Sequence, residues 1–260
     1  MTVEKFEFVS VEIADHVAVV TMDRPPVNAQ VRQTQDEIAA AFDQLSDTDE
    51  ARVVILTGAG KLFSAGADIK ARAGVPFTPG GQRAHLRSAR ESYHAIVECR
   101  KPVIAAINGA ALGAGLALVA SCDILIASEQ AVLGLPEVTV GLMGGCRHAM
   151  RLFGHSTVRR MMFTGDRIAG PELYRLGVVE ACVPPDQLMP TAMEFARRIA
   201  QHSPLAVATA KHSLNAIEEM SLRDGYRFEQ DMTMQLGASE DSQEAKRAFL
   251  EKRKPVYKGR

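Results

Sequence analysis

No CxxC pair, no HExxH helix and no G-x-S-x-G elbow occurs in this 260-residue chain. Each absence closes off a class of chemistry. Four cysteines stand apart at Cys99, Cys122, Cys146 and Cys182, three of them in apolar surroundings. They read as reduced core thiols of a cytoplasmic protein, not as a disulfide framework. Seven histidines without zincin or zinc-finger spacing give a metal no support. Without the elbow, the usual serine-hydrolase signature is missing. The first ten residues show neither a signal-peptide pattern nor an Arg-rich amphipathic one. Asp123 and Glu129 interrupt the most hydrophobic region, and no apolar run is long enough to span a bilayer. Charge of one sign is also short, 30 basic residues against 31 acidic. A nucleic-acid binder relying on a strong overall positive field is thereby excluded, a local basic patch aside.

Two glycine-rich stretches fall short of nucleotide motifs. Gly113-Ala114-Gly115 opens a dinucleotide fingerprint, but Leu118 takes the third glycine's place. Gly60-Lys61 suggests a phosphate loop, but Ile55 stands for the earlier glycine and Leu62 for Ser or Thr. Neither motif is complete.

What is present centres on Lys101 to Asp123. Val103 to Ile107 is a short apolar run of strand length. Asn108-Gly109, a pair suited to positive φ, breaks it, and Gly113, Ala114 and Gly115 open a helix running through Ser121. The first turn of a helix has N–H groups without intrahelical partners, which together with the helix dipole suit a negatively charged oxygen.

The length suits one large domain, or one domain with a helical appendage. Phe6 to Val11 and His16 to Met22 alternate as a hairpin turning at Ala14-Asp15. Apolar positions Ile38, Phe42 and Leu45 predict a helix over 33–45. Arg52 to Thr57 is an apolar strand, 73–81 a mobile loop rich in Pro and Gly, 82–98 a helix, and Asp123 to Ala127 a strand. The segments VAVVTMDRP, RVVILTGAG, PVIAAINGA and CDILIASEQ each end an apolar strand in a turn. This weak repeat predicts an α/β spiral of stacked ββα turns. Beyond Gly145 the chain turns mostly helical, with a short strand over 178–183. Ser156 is read as the cap of a helix stopped by Gly165, and Asp186, Ser203 and Ser221 as caps of three longer ones. The division is a core over 1–200 and a C-terminal helical region over 201–260 that covers the pocket and serves oligomer contacts.

Several ordered stretches carry a resemblance across nearly the whole chain. They are Asp23-Arg24-Pro25, the FSAGADIK segment ending at Lys70, the KPVIAAINGAALGAG segment, Leu135-Pro136-Glu137 and the tail from Glu251 to Arg260. Together they resemble the crotonase (enoyl-CoA hydratase/isomerase) superfamily. The resemblance implies a crotonase-like spiral, an acyl-CoA substrate with coenzyme A as part of it and no separate cofactor, and a homotrimer or homohexamer that binds neither nucleic acid nor membrane. It implies that the N–H groups of Ala67 and Ala114 hold the thioester oxygen. Preorganised donors of this kind stabilise a developing enolate more than the ground state. It further implies an adenine site along the backbone of Ala65, Ala67, Asp68 and Ile69, with Lys70 near the phosphates.

The departure lies in the carboxylates. The resemblance places a first hydratase glutamate at Ala117, flanked by Leu116 and Leu118, so no neighbouring acid replaces it. The second falls on Glu137, in a turn after an apolar segment where burial raises its pKa. A lone glutamate is otherwise a surface charge. One carboxylate is enough to shift a proton between carbons, and hydration is harder with one. His148, after Gly144-Gly145, is either an assisting acid or base or a satisfied structural histidine. Met143, Met150, Met161 and Met162 are read as core. The alternatives are a ring-opening or thioester hydrolase on the same scaffold, and a CoA-binding protein without turnover.

Overall fold

The computed structural model describes residues 6–72 and 78–260. Strands β1 (Val9–Ala14) and β2 (Val17–Met22) form the hairpin, turning at Asp15-His16, both at positive φ. Helix α1 (Arg32–Asp47) follows, then β3 (Val53–Gly58), the short α2 (Ile69–Arg72) and α3 (Gly81–Glu98). Residues 73–77 of the expected mobile loop lie outside the described residues; Pro79 and Gly80 make the turn into α3. Next come β4 (Val103–Ile107), β5 (Ala110–Leu112), α4 (Ala114–Ala120), β6 (Ile124–Ser128) and β7 (Val132–Gly134). A 3-10 turn (Pro136–Val140) leads to α5 (Cys146–Leu152), α6 (His155–Thr164), β8 (Arg167–Ala169), α7 (Gly170–Arg175) and β9 (Ala181–Val183). A second 3-10 turn (Pro185–Gln187) precedes α8 (Leu188–Ala200), α9 (Pro204–Ile217), α10 (Leu222–Gly237) and α11 (Glu240–Glu251).

The larger sheet has the order β1-β2-β3-β4-β6-β9, and β5-β7-β8 form the smaller one. Beyond the β1–β2 hairpin the larger sheet is parallel. The four repeat segments are thus neighbouring strands β2, β3, β4 and β6, each stacked one turn further along. Their continuous apolar character follows from burial on both faces. Val54 and Leu56 of β3 face α1, where Ile38, Phe42 and Leu45 are fully buried, while Val53 and Ile55 face Leu188, Ala192 and Ala196 of α8. Each such side chain buried contributes about 1.5–3 kcal/mol. The sheet is therefore rigid where its strand ends carry the loops described below.

Several local expectations are corrected. Asn108-Gly109 adopts no positive φ. Gly109 is needed because a Cβ there would strike the Lys61 carbonyl, while Asn108 Nδ2 donates to the carbonyls of Gly58 (2.8 Å) and Gly60 (3.1 Å). Ser156 lies inside α6, whose cap is Gly154, and Asp186 lies in the second 3-10 turn, leaving Gln187 to precede α8. Ser203 and Ser221 do cap their helices, accepting from Ala206 and Asp224 N–H. Residues 178–180 precede a strand limited to Ala181–Val183. Met161 and Met162 are buried, but Met143 is 81% exposed and Met150 is exposed as well. Among the described residues no helix is long and apolar enough to cross a membrane.

Candidate active site

The segments 64–67 and 110–114 lie side by side. Ser64 and Ala111 form a parallel bridge, with Ser64 N–H donating to the Ala110 carbonyl and Leu112 N–H to the Ser64 carbonyl, both at 3.0 Å. Three residues further along each segment lie Ala67, bridged to Gln30, and Ala114, the first residue of α4. Gly66 shows how close the segments come. A Cβ built on it would sit 2.5 Å from the Leu112 carbonyl oxygen and 3.3 Å from Ala114 N, at a φ of +90° that only glycine adopts easily. Among the described residues neither the Ala67 nor the Ala114 N–H meets an acceptor. For Ala114 this follows from its place as the first residue of α4. For Ala67 it follows from the local pairing: Gln30 N–H donates to the Gly66 carbonyl (2.8 Å) and Asp68 N–H to the Gln30 carbonyl (2.9 Å), leaving the amide between them unused.

Buried polar groups hold this segment in shape. Ser64 Oγ donates to the Asn28 carbonyl (2.7 Å) and accepts from Gly66 N–H (3.2 Å) and Gln30 Nε2 (3.3 Å). Asn28, at φ +50°, donates through Nδ2 to the carbonyls of Ala59 and Leu62, each at 2.9 Å. Ser64 lies in the FSAGADIK stretch, but nothing in its residue type marks it as a support. Asp68 accepts from Ala71 N–H (2.9 Å) at the start of α2 and pairs with Arg24 Nη1 at 2.9 Å. The Ala71 amide, with the Arg24 guanidinium, holds its carboxyl below the ordinary range against the cost of burial. Its side chain is thus occupied in fixing the loop. Ile69 and Lys70 are exposed at the same end.

Glu137 stands at the opposite side of α4's first turn. The 3-10 turn begins at Pro136 and delivers the carboxyl against Gly113, where a Cβ would meet Oε1 at 2.6 Å. Oε2 is buried with no hydrogen-bond partner among the described residues. Burial raises the pKa of Glu137, and its own backbone N–H offsets this in part. Gly113 adopts φ +54°, ψ −115°, a region essentially restricted to glycine. Gly113→Ala is expected to lower stability by about 1–3 kcal/mol and to displace the carboxylate. Thermal melts and kcat of the variant check both.

Ala117 is buried one turn into α4, and no acid lies on that helix. Arg147 and His148, just after Gly144-Gly145, lie in helix α5. Arg147 points outward and pairs with Glu219. His148 packs edge-on against Tyr93 of α3, ring centroids 4.9 Å apart. Burial, then the positive charges of Arg151, His94 and Arg147, push the His148 pKa down, which keeps its imidazole neutral. Nothing in the sequence singles out Tyr93, since a single aromatic in a helix reads as ordinary packing.

A family model described as enoyl-CoA hydratase/isomerase matches residues 12–260. A probable mitochondrial enoyl-CoA hydratase of Dictyostelium discoideum is 37% identical over 93% of this chain and 87% of its own length. A carnitinyl-CoA dehydratase of Salmonella typhimurium is 37% identical over 93% of this chain and 94% of its own. The crystal structure of an enoyl-CoA hydratase from Bacillus anthracis superposes with a TM-score of 0.92 at 36% identity, covering 98% of this chain and all of that one. The fold defines an α/β crotonase spiral with two sheets and C-terminal helices. The chain belongs to the enoyl-CoA hydratase/isomerase family.

Proposed function

We propose that the chain processes acyl-CoA thioesters through an enolate, with the Ala67 and Ala114 amides holding the thioester oxygen and Glu137 moving the proton. The observation that carries this reading is the unpartnered, buried Glu137 oxygen beside two unused amides on converging segments. A carboxylate left without a partner and raised in pKa is poised to take and return a proton. Donors already aimed and free need no reorganisation as charge develops on the thioester.

The CoA end is assigned to the backbone of Ala65, Ala67, Asp68 and Ile69. The N–H groups of Ala65 and Asp68 are already bonded to the carbonyls of Val27 (3.0 Å) and Gln30 (2.9 Å). What these two residues offer an adenine amine is therefore carbonyl oxygen. Lys70 supplies a mobile positive charge for phosphate. The names of the two relatives, a hydratase and a dehydratase of CoA thioesters, support the substrate class.

Ala117 takes the position where a first hydratase carboxylate is expected, so the lyase or isomerase chemistry falls to one glutamate. Incubation with crotonyl-CoA and with 3-enoyl-CoAs tests this: hydration or isomerisation supports it. Tight CoA binding without turnover of any ester would leave a binding protein. A second reading is ring-opening or thioester hydrolysis, with the His148 imidazole, its pKa lowered by burial, as an assisting group, and turnover of cyclic ketoacyl-CoAs alone would select it.

The region 201–260 is assigned to pocket cover and subunit contact. Arg151 of α5 pairs with Glu218 at the end of α9 (3.1 Å), which lays that helix beside the site. Leu222 is 91% and Phe249 83% exposed, apolar surface of the kind that a trimer or hexamer buries. Light scattering on the pure protein is expected to give three or six subunits. The four free cysteines agree with a reducing, cytoplasmic setting.

A further inference from the structure

Tyr93 lies close enough to Glu137 for the carboxylate's charge to act on it. Its ring stands T-shaped to His148; His148 lies on the helix that follows Gly144-Gly145; and a Cβ on Gly144 would come within 3.9 Å of Glu137 Oε1. Tyr93 is partly buried, and its hydroxyl has no hydrogen-bond partner among the described residues. A phenol left without a partner in such a place carries an unspent donor.

We propose that Tyr93 is a further substrate-contacting residue whose hydroxyl donates a hydrogen bond to an oxygen at C3 of the acyl chain. That oxygen belongs either to the water being added or to the hydroxyl of a 3-hydroxyacyl group being removed. The proposal rests on the Glu137 reading above and goes beyond it by naming the substrate's chemistry. A double-bond isomerisation presents no oxygen there and gives this hydroxyl nothing to hold. Hydration does, and α4 offers no carboxylate at Ala117 to hold it.

The step balances with one carboxylate. As the water oxygen bonds to C3, one of its protons passes to Glu137 and the C2=C3 π pair moves towards the thioester. The resulting enolate then takes that proton back from Glu137 at C2, so water is added in full. Dehydration is the reverse. Tyr93 keeps its own proton throughout. Burial and then the charge of Glu137 push its pKa up to about 12, so it serves as a donor and not as an acid. His148, uncharged against the ring edge, fixes the ring's orientation without competing for the hydroxyl.

Tyr93→Phe tests this. The ring contact with His148 survives and no protein hydrogen bond is lost, so the melting temperature is expected to hold. Hydration of crotonyl-CoA is expected to fall roughly 10- to 100-fold in kcat, with KM changed less than about twofold. Isomerisation of 3-hexenoyl-CoA by the same variant is expected to stay within about twofold of wild type. Dehydration of 3-hydroxybutyryl-CoA, the reverse of the same step through the same C3 oxygen, is expected to lose kcat/KM by the same factor as hydration. Equal losses in hydration and isomerisation, no loss in either, or a wild-type enzyme that isomerises without hydrating or dehydrating would overturn the proposal. The Glu137 reading fails separately, if Glu137→Gln retains both activities.

Discussion

Glu137→Gln is expected to lower kcat about 10²- to 10⁴-fold on whichever acyl-CoA the wild-type enzyme turns over, with a much smaller change in KM. The amide keeps the shape of the carboxyl and still fits against Gly113, but it cannot accept a proton. The backbone amides assigned to the thioester oxygen remain, so binding survives where proton transfer does not. Steady-state kinetics on purified protein decide it. A loss confined to KM would show that Glu137 merely contacts substrate.

The same residue sets two pH dependences of known sign. Its pKa is raised in the folded protein by burial. The base form needed to take a proton therefore appears only above the ordinary carboxylate range, and the acidic limb of kcat/KM is displaced upward accordingly. For stability, the folded state holds a proton that the unfolded state has released between the ordinary and the raised pKa. Stability contributed by Glu137 thus falls as pH rises through that window. Glu137→Gln removes this slope, so the variant is expected to melt above wild type at pH 8, with the gap closing as pH drops below the ordinary carboxylate pKa. Such a trade, activity gained by leaving a buried polar atom unpaired, is usual at sites of proton transfer.

Lys211→Ala is expected to cost about 1–3 kcal/mol of folding stability, read from urea denaturation. Lys211 Nζ is buried beneath α9, 2.8 Å from Asp123 Oδ2, and donates to the carbonyls of Ile96 and Lys101, both at 3.1 Å. One side chain therefore ties the C-terminal helices to the end of α3, to the start of β4 and to the loop before β6. Truncation removes the partner of the solvent-accessible Asp123 carboxylate and leaves two carbonyls without their donor. Asp123 would keep its hydrogen bond from Val103 N–H at 2.7 Å, which limits the loss. The double variant Asp123→Asn with Lys211→Met is expected to be more stable than Lys211→Ala alone, because methionine refills the buried space that the lysine stem occupied. If Lys211→Ala unfolds at the wild-type urea concentration, the anchor is not where the energy lies.

Much of the α/β spiral was legible in order along the chain. Strands buried on both faces must be apolar throughout, so β3 and β4 declared themselves, and their turn residues marked where each layer ends. Periodicity was also enough for α1, because Ile38, Phe42 and Leu45 fall on one face. Helix caps were less legible. Ser156 and Asp186 have the right chemistry for a cap, but a cap depends on the φ and ψ of one residue, and packing had already placed those residues elsewhere. The methionines failed for a related reason. Met143 and Met161 have the same hydropathy, and only the location of the surface separates them.

The family resemblance implied the candidate acid Glu137 and the lack of one at Ala117, and the sequence by itself determined the order of the layers and the small residues that permit close backbone approach. These are local properties, carried by side-chain type and spacing. Tertiary structure alone decided that Ser64 pairs with Ala111, that Oε2 of Glu137 is left without a partner, and that Tyr93 packs against His148. Each depends on contacts between segments far apart in the chain, and no residue type encodes which distant partner it will meet.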